Sequence, residues 1–128
     1  MRLRITHLTE RGNGVAKHGG STYELPFVLR GETTSAKEIK KVKHHVYALP
    51  FSIGNFSPLR KKPDCIHFGT CGACHFRHLT FRDSIILKKE GFLEMLRKEI
   101  KKWDTLDTLV YDNMRTKMRI KTDKESLY

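Results

Sequence analysis

Gly12-Asn13-Gly14-Val15-Ala16-Lys17-His18-Gly19-Gly20-Ser21-Thr22-Tyr23-Glu24-Leu25-Pro26-Phe27-Val28-Leu29-Arg30-Gly31 decides the fold. Turn signals at Gly12-Asn13-Gly14, His18-Gly19-Gly20 and Arg30-Gly31 bracket short apolar runs, Val15-Ala16-Lys17 and then residues 23–29. Glycine and asparagine supply the backbone angles that tight turns need, and the runs between them have strand length, so the pattern predicts a small β barrel. Upstream, Leu3 and Ile5 alternate with polar neighbours, as in a strand with one buried face. Downstream, residues 33–42 and 46–53 add two more β-branched or apolar segments, separated by Lys43-His44-His45.

About five strands are then available over residues 1–56, enough for an OB-like barrel. Pro26 and Pro50 are expected at edges or strand ends, because proline cannot donate to a sheet ladder. Residues 56–63 change character, with Pro58 and Pro63 bracketing Arg60-Lys61-Lys62, and read as a linker. Residues 57–82 form this linker together with a cysteine loop.

From residue 83 to 103 the apolar positions Ile85, Ile86, Phe92, Leu93, Leu96, Ile100 and Trp103 recur at helical spacing, with lysines and arginines mostly between them. Asp83 is the expected N-cap, and Gly91 inside this helix costs about 1 kcal/mol. Residues 104–128 open with a connector and continue with candidate strands at 109–111 and 114–120, an incomplete β segment. The predicted class is therefore mainly β with one helix.

The chain's 128 residues exclude a large catalytic domain. With 25 Lys and Arg against 14 Asp and Glu, the net charge of +11 favours a polyanionic partner, nucleic acid before membrane lipid. The N-terminus has no apolar signal core, and no window approaches the ~18 to 20 apolar residues of a membrane span, so a soluble cytoplasmic protein is expected. Arg2, Arg4, Arg11, Lys17, Arg30, Lys37, Lys40, Lys41 and Lys43, with Arg60, Lys61 and Lys62 beyond them, are candidate phosphate contacts. Tyr23, Phe27, Tyr47, Phe51 and Phe56 are candidate stacking faces, although core packing is the commoner use of an aromatic in so small a barrel.

All three cysteines, Cys65, Cys71 and Cys74, fall within ten residues. Thiolates at Cys-x5-Cys-x2-Cys spacing suit iron or zinc rather than calcium or magnesium. The motif admits three completions: a cysteine from elsewhere finishing an iron–sulfur cluster, a nearby histidine such as His78 finishing a tetrahedral zinc site, or no metal. The adjacent His44 and His45 would point to opposite faces of a strand and do not suggest a shared ion. No phosphate-cradling glycine loop and no Ser/His/Asp arrangement is present, so no catalytic residue is assigned.

Gly12-Asn13-Gly14-Val15-Ala16, Glu24-Leu25-Pro26-Phe27-Val28 and Leu29-Arg30-Gly31-Glu32-Thr33 resemble the TRAM domain, a small OB-like RNA-binding barrel. Ser57-Pro58-Leu59-Arg60, Pro63-Asp64-Cys65, Cys71-Gly72-Ala73-Cys74 and His78-Leu79-Thr80-Phe81 are similar to the N-terminal part of the RNA (uracil-5-)-methyltransferases, the 23S rRNA type most of all. The resemblance implies that Cys65, Cys71 and Cys74 are three of four ligands of a 4Fe-4S cluster. The fourth cysteine, the S-adenosylmethionine domain and the cysteine nucleophile of complete members have no counterpart in these residues, so catalysis by this chain alone is not expected. RNA, ribosomal or transfer, is the implied partner, and a separate chain is one source of the catalytic domain. A stand-alone zinc-clipped RNA-binding module with His78 as fourth ligand is the alternative. Ala73 stands where glycine is common in the family, Arg77 and Ser84 where glutamine is common, and Met114 where an aromatic is usual.

Overall fold

The computed structural model describes residues 1–98 with their side chains, and the backbone of 99, 120–121 and 126–127. Six strands make one mixed sheet: β1 (Arg2–Arg4), β2 (His7–Leu8), β3 (Gly14–His18), β4 (Ser21–Leu25), β5 (Thr33–Val42) and β6 (His45–Gly54), in the order β1-β5-β6-β4-β3-β2. Only the β4–β6 pairing is parallel. One helix, α1 (Phe81–Glu99), follows, and Ile120–Lys121 pairs with Ser126–Leu127 as β7 and β8. Among the described residues the mainly-β class with one helix holds. The candidate strands at 109–111 and 114–119, and the helix beyond 99, lie outside the described residues.

The sheet is not closed into the barrel expected from the strand count. β1 and β2 are its two edges and do not pair with each other. They are nevertheless consecutive along the chain, with only Ile5 and Thr6 between them, and the three residue steps from Arg4 to His7 span at most ~11 Å. The sheet must therefore curl until its edges nearly meet. Ile5 marks the crossing: its N–H donates to the Glu32 carbonyl and its own carbonyl accepts from Gly31, while the next residue, Thr6, donates to Val15 of β3, at the other side of the sheet.

The alternation read from the sequence sets the core. Leu3, Ile5, Ala16, Tyr23, Leu25, Val28, Val46 and Ala48 form one buried cluster inside the curl, with Leu8, Ala36 and Ile53 packed against it. Each large apolar side chain so buried contributes about 1.5 to 3 kcal/mol. The strand expected over 23–29 ends at Leu25; Pro26 and Phe27 turn the chain, with Phe27 at φ 63°, and Val28 and Leu29 fill the core from a loop.

Pro50 corrects a second expectation, since it sits inside β6 rather than at a strand end. The register steps from Ser35↔Ser52 to Ala36↔Pro50, leaving Phe51 as an extra residue, so a bulge accommodates the missing N–H. A matching irregularity leaves Ile39 unpaired on β5. The helix also begins earlier than predicted: Thr80, not Asp83, is the N-cap, its hydroxyl accepting from the Asp83 N–H at 3.1 Å. Asp83 occupies the first turn, where its charge complements the helix dipole. No described helix is long and apolar enough to cross a membrane.

Candidate nucleic-acid interface and cysteine loop

Residues 57–63 are no free linker. Glu32 is fully buried, and its carboxylate accepts four hydrogen bonds: from the Leu29 N–H at 2.7 Å, the Ser57 N–H at 3.1 Å, and Nε and Nη2 of Arg60, the latter at 2.8 Å. Arg60 Nη2 also donates to the Phe27 carbonyl at 2.7 Å. Burial alone would push the Glu32 carboxyl up, but the Arg60 and backbone hydrogen bonds outweigh it and hold the pKa below the ordinary carboxylate value. This pair clasps the segment after β6 onto the sheet. Arg60, read from the sequence as a phosphate contact, is committed to it.

An aromatic seam continues the clasp into the cysteine loop. Phe27 meets Phe68 edge-on at 4.9 Å, Phe68 lies 5.5 Å from the His78 ring, and His78 stacks on Phe76 at 6.3 Å. Phe76 in turn covers Gly12, where a Cβ would lie 2.2 Å from its ring, and Lys88 of α1 sits over the ring at 5.7 Å from its centre. The Gly12-Asn13-Gly14 turn is thus a seat for the loop as well as a strand connection. On α1, a Cβ at Gly91 would come within 2.5 Å of the Glu10 carbonyl oxygen, so the glycine that weakens the helix lets it approach the sheet.

The cysteine loop is a series of tight turns: Phe68 N–H to the Cys65 carbonyl, Thr70 and Cys71 N–H to the His67 carbonyl, and Leu79 N–H to the Phe76 carbonyl. Its ends are tied by Arg77, which donates to Asp64 at 3.0 Å and to the Cys74 sulfur at 3.4 Å. The Arg77 hydrogen bond holds the Asp64 carboxyl below its usual range. All three thiols are free, Cys65 and Cys74 half-buried and Cys71 exposed.

Their donor chemistry suits a thiolate-ligated metal or cluster. Among the described residues, however, no three His, Cys, Asp or Glu side chains gather as a coordination group. His78, the sequence candidate for a fourth ligand, is 1% exposed in the aromatic seam, and its Nδ1 has no hydrogen-bond partner among the described residues. Burial, aided by the Arg60 charge, pushes its pKa down to about 4. Its place is that of a neutral packing wedge.

The remaining basic candidates are at the surface. Arg2, Arg4, Arg11, Lys17, Arg30, Lys40, Lys41, Lys43 and Lys62 are exposed and Lys61 is half-buried; among the described residues none of them forms an ion pair. Register brings several together. Arg2 and Arg4 lie opposite Ser35 and Thr33, and Lys37 and Lys40 lie opposite Leu49 and Tyr47, so the outer face of β1-β5-β6 carries four cations. Arg11, Lys17, Arg30 and the 61–62 pair stand on other loops and strand ends. Of the aromatic candidates, Tyr23 is core and Phe27 belongs to the seam, while Tyr47, Phe51 and Phe56 are exposed. The Glu32–Arg60 clasp and the close approaches at Gly12 and Gly91 escaped sequence reading; a glutamate directly after the Arg30-Gly31 turn was the one visible hint.

No protein-family model matches the chain. Individual relatives do. The 23S rRNA (uracil(1939)-C(5))-methyltransferase RlmD of Shewanella frigidimarina is 31% identical over 96 residues, 75% of this chain and 21% of the relative. An uncharacterized RNA methyltransferase of Listeria monocytogenes is 32% identical over 96 residues, again 75% of this chain and 21% of the relative. A third, from Aquifex aeolicus, is 29% identical over 98 residues, 77% of this chain and 23% of that protein. All three are named as RNA methyltransferases. The chain is similar to RNA (uracil-5-)-methyltransferases, those of the 23S rRNA type among them, and spans about a fifth of the length of the relatives it matches.

Proposed function

We propose that these residues are the RNA-binding N-terminal portion of an S-adenosylmethionine-dependent RNA (uracil-5-)-methyltransferase. The observation that carries the reading is the set of exposed, unpaired cations on a fold whose relatives are named as 23S rRNA methyltransferases. Such a surface follows a phosphate backbone by releasing condensed counterions. Methyl transfer to C5 of a uracil, and the cofactor for it, belong to the complete enzymes and are proposed for this chain only through that kinship.

Cys65, Cys71 and Cys74 are proposed as three thiolate ligands of a 4Fe-4S cluster, on their donor chemistry and spacing. When bound, the cluster would supply a covalent cross-link of the loop. The chain's own contribution is to hold the loop against the sheet through Arg60, Phe68, Phe76 and His78. The zinc alternative is less favoured, because His78 would have to leave a fully buried seam to become a ligand.

RNA titrations over a range of salt test the first part: affinity for a ribosomal or transfer RNA fragment should fall linearly on a log–log salt plot, and absent or salt-independent binding overturns it. Metal analysis and visible absorption after anaerobic purification test the second. Broad iron–sulfur bands are expected, and a colourless protein with one zinc favours the alternative.

A further inference from the structure

The outer face of β6 carries a row of exposed apolar side chains that the core does not explain. Inward-facing Val46 and Ala48 alternate with Tyr47, Leu49 and Phe51, which are 45%, 48% and 73% exposed. Residues two apart on a strand share a face, so the three point outward together along ~13 Å of strand. The bulge at Phe51 adds local twist to the strand at the end of this row. Exposed apolar rows of this kind on a sheet invite edge or face association, and a chain retains them when something covers them.

The neighbours indicate what that is. Lys37 lies directly opposite Leu49 and Lys40 opposite Tyr47, so both lysines stand on the same face as the row. Arg2, opposite Ser35, extends the cations one strand further, beside the Phe51 end. Glu24 is the register partner of Tyr47 on β4, and both its oxygens are occupied: Oε1 accepts from Asn13 Nδ2 at 2.7 Å and Oε2 lies 3.0 Å from His45 Nε2. The His45 ring leans on Tyr47 at 4.8 Å, which steadies the first aromatic. By contrast, the outward positions of β4, Thr22 and Glu24, hold no aromatic.

From this juxtaposition of a Tyr47–Leu49–Phe51 row with Lys37, Lys40 and Arg2 we infer a base-stacking strip that takes unpaired nucleotides of a single-stranded RNA segment. The inference rests on the RNA-binding reading above and sharpens it. Bases lie on Tyr47 and Phe51, Leu49 fills the apolar gap between them, and the cations follow the phosphates. A duplex keeps its bases stacked on one another and gains only the charge contacts, so the strip selects single strands.

The test is fluorescence anisotropy on the full chain with a labelled single-stranded RNA of about 12 nucleotides, within the span that a small β module covers, and with the same sequence as a duplex. Y47A and F51A should each weaken single-strand binding about five- to 150-fold, the range for loss of one stacked base, with the salt slope unchanged. K37A and K40A should instead lower that slope by about 0.7 for each phosphate they no longer neutralise. Y47F should retain binding. Both aromatics are exposed, so thermal melts of the alanine variants should match the parent and exclude misfolding as the cause.

Equal binding of the parent, Y47A and F51A to the single strand would overturn the strip and leave the RNA-binding reading intact. Equal affinity for duplex and single strand would overturn it too. Failure of the parent chain to bind any RNA at low salt would remove both. A concentration-dependent dimer that F51A dissociates, with RNA affinity unmoved, would assign the row to a second copy of the chain instead.

Discussion

Replacing Arg60 with alanine should be among the most damaging single changes in the described structure, and its size can be worked from the clasp. Glu32 has no exposed surface, and Arg60 supplies two of the four hydrogen bonds to its carboxylate as well as the only opposing charge among its hydrogen-bond partners. Removing one partner of a buried ion pair leaves an uncompensated charge and costs about 3 to 5 kcal/mol. Against the roughly 5 to 15 kcal/mol typical of a small domain, that is a large fraction. Urea unfolding followed by circular dichroism measures it. The E32L/R60M pair removes both charges and should recover part of the loss, retaining a deficit of about 1 to 3 kcal/mol because the Leu29 and Ser57 N–H groups lose their acceptor. A double-mutant coupling near zero, or R60A unfolding within about 1 kcal/mol of the parent (the ordinary surface range being about 0.5), would refute the clasp.

Acid provides an independent check on the same group. The folded pKa of Glu32 is lowered, so the folded state binds its proton less readily than the unfolded chain does. Its contribution is therefore fully present above the unfolded value of about 4.3 and is lost as pH falls through the folded value. The stability gap between the parent and E32Q should be constant at neutral pH and narrow progressively on acidification below that point. A gap that widened in acid would reverse the assigned direction.

Gly12→Ala should lower the melting temperature, since the new methyl meets the Phe76 ring at a position already held at φ 84°, and adding F76L should restore part of the loss by removing the clash but not the backbone strain. Gly91→Ala should raise the intrinsic propensity of α1 by about 1 kcal/mol yet destabilise its docking, because the Glu10 backbone cannot yield as a flexible side chain would; hydrogen exchange at residues 9–12 should accelerate while helix content persists. Thr80→Ala removes the hydroxyl that accepts from Asp83 and should cost about 1 kcal/mol, read by the same melts, whereas Thr80→Ser should be nearly neutral.

The elements legible from the sequence were those whose signals are local. Gly19-Gly20, both at positive φ, made the β3–β4 hairpin readable, and the alternation at Leu3 and Ile5 marked the core face. Errors arose where a distant residue overrode a local signal. Residues 57–63 read as a linker because two prolines and three cations forbid regular structure, yet Arg60 is drawn in by a glutamate 28 residues away. His78, which has metal-ligand spacing from Cys74, packs its ring against Phe68 and Phe76, a contact no local signal announces. Asp83 and Thr80 are both good caps, and only the backbone path into α1 chooses between them. The stacking candidates divided the same way: strand parity across β6 turns Tyr47 and Phe51 outward, while Tyr23 closes the core.

By itself, then, the sequence determined the mainly-β class, the turns at Gly12-Asn13-Gly14 and Gly19-Gly20, the basic character, and the kinship carried by the cysteine and glycine motifs. These are properties of composition, periodicity and short-range spacing, which the chain displays without folding. The tertiary structure alone decided that the sheet curls without closing, that Glu32 and Arg60 pin the cysteine loop to it, and that the aromatic row on β6 meets the lysines of β5. Each of those depends on register and on pairing between residues far apart in the chain, where desolvation and close packing, rather than local propensity, select the partner.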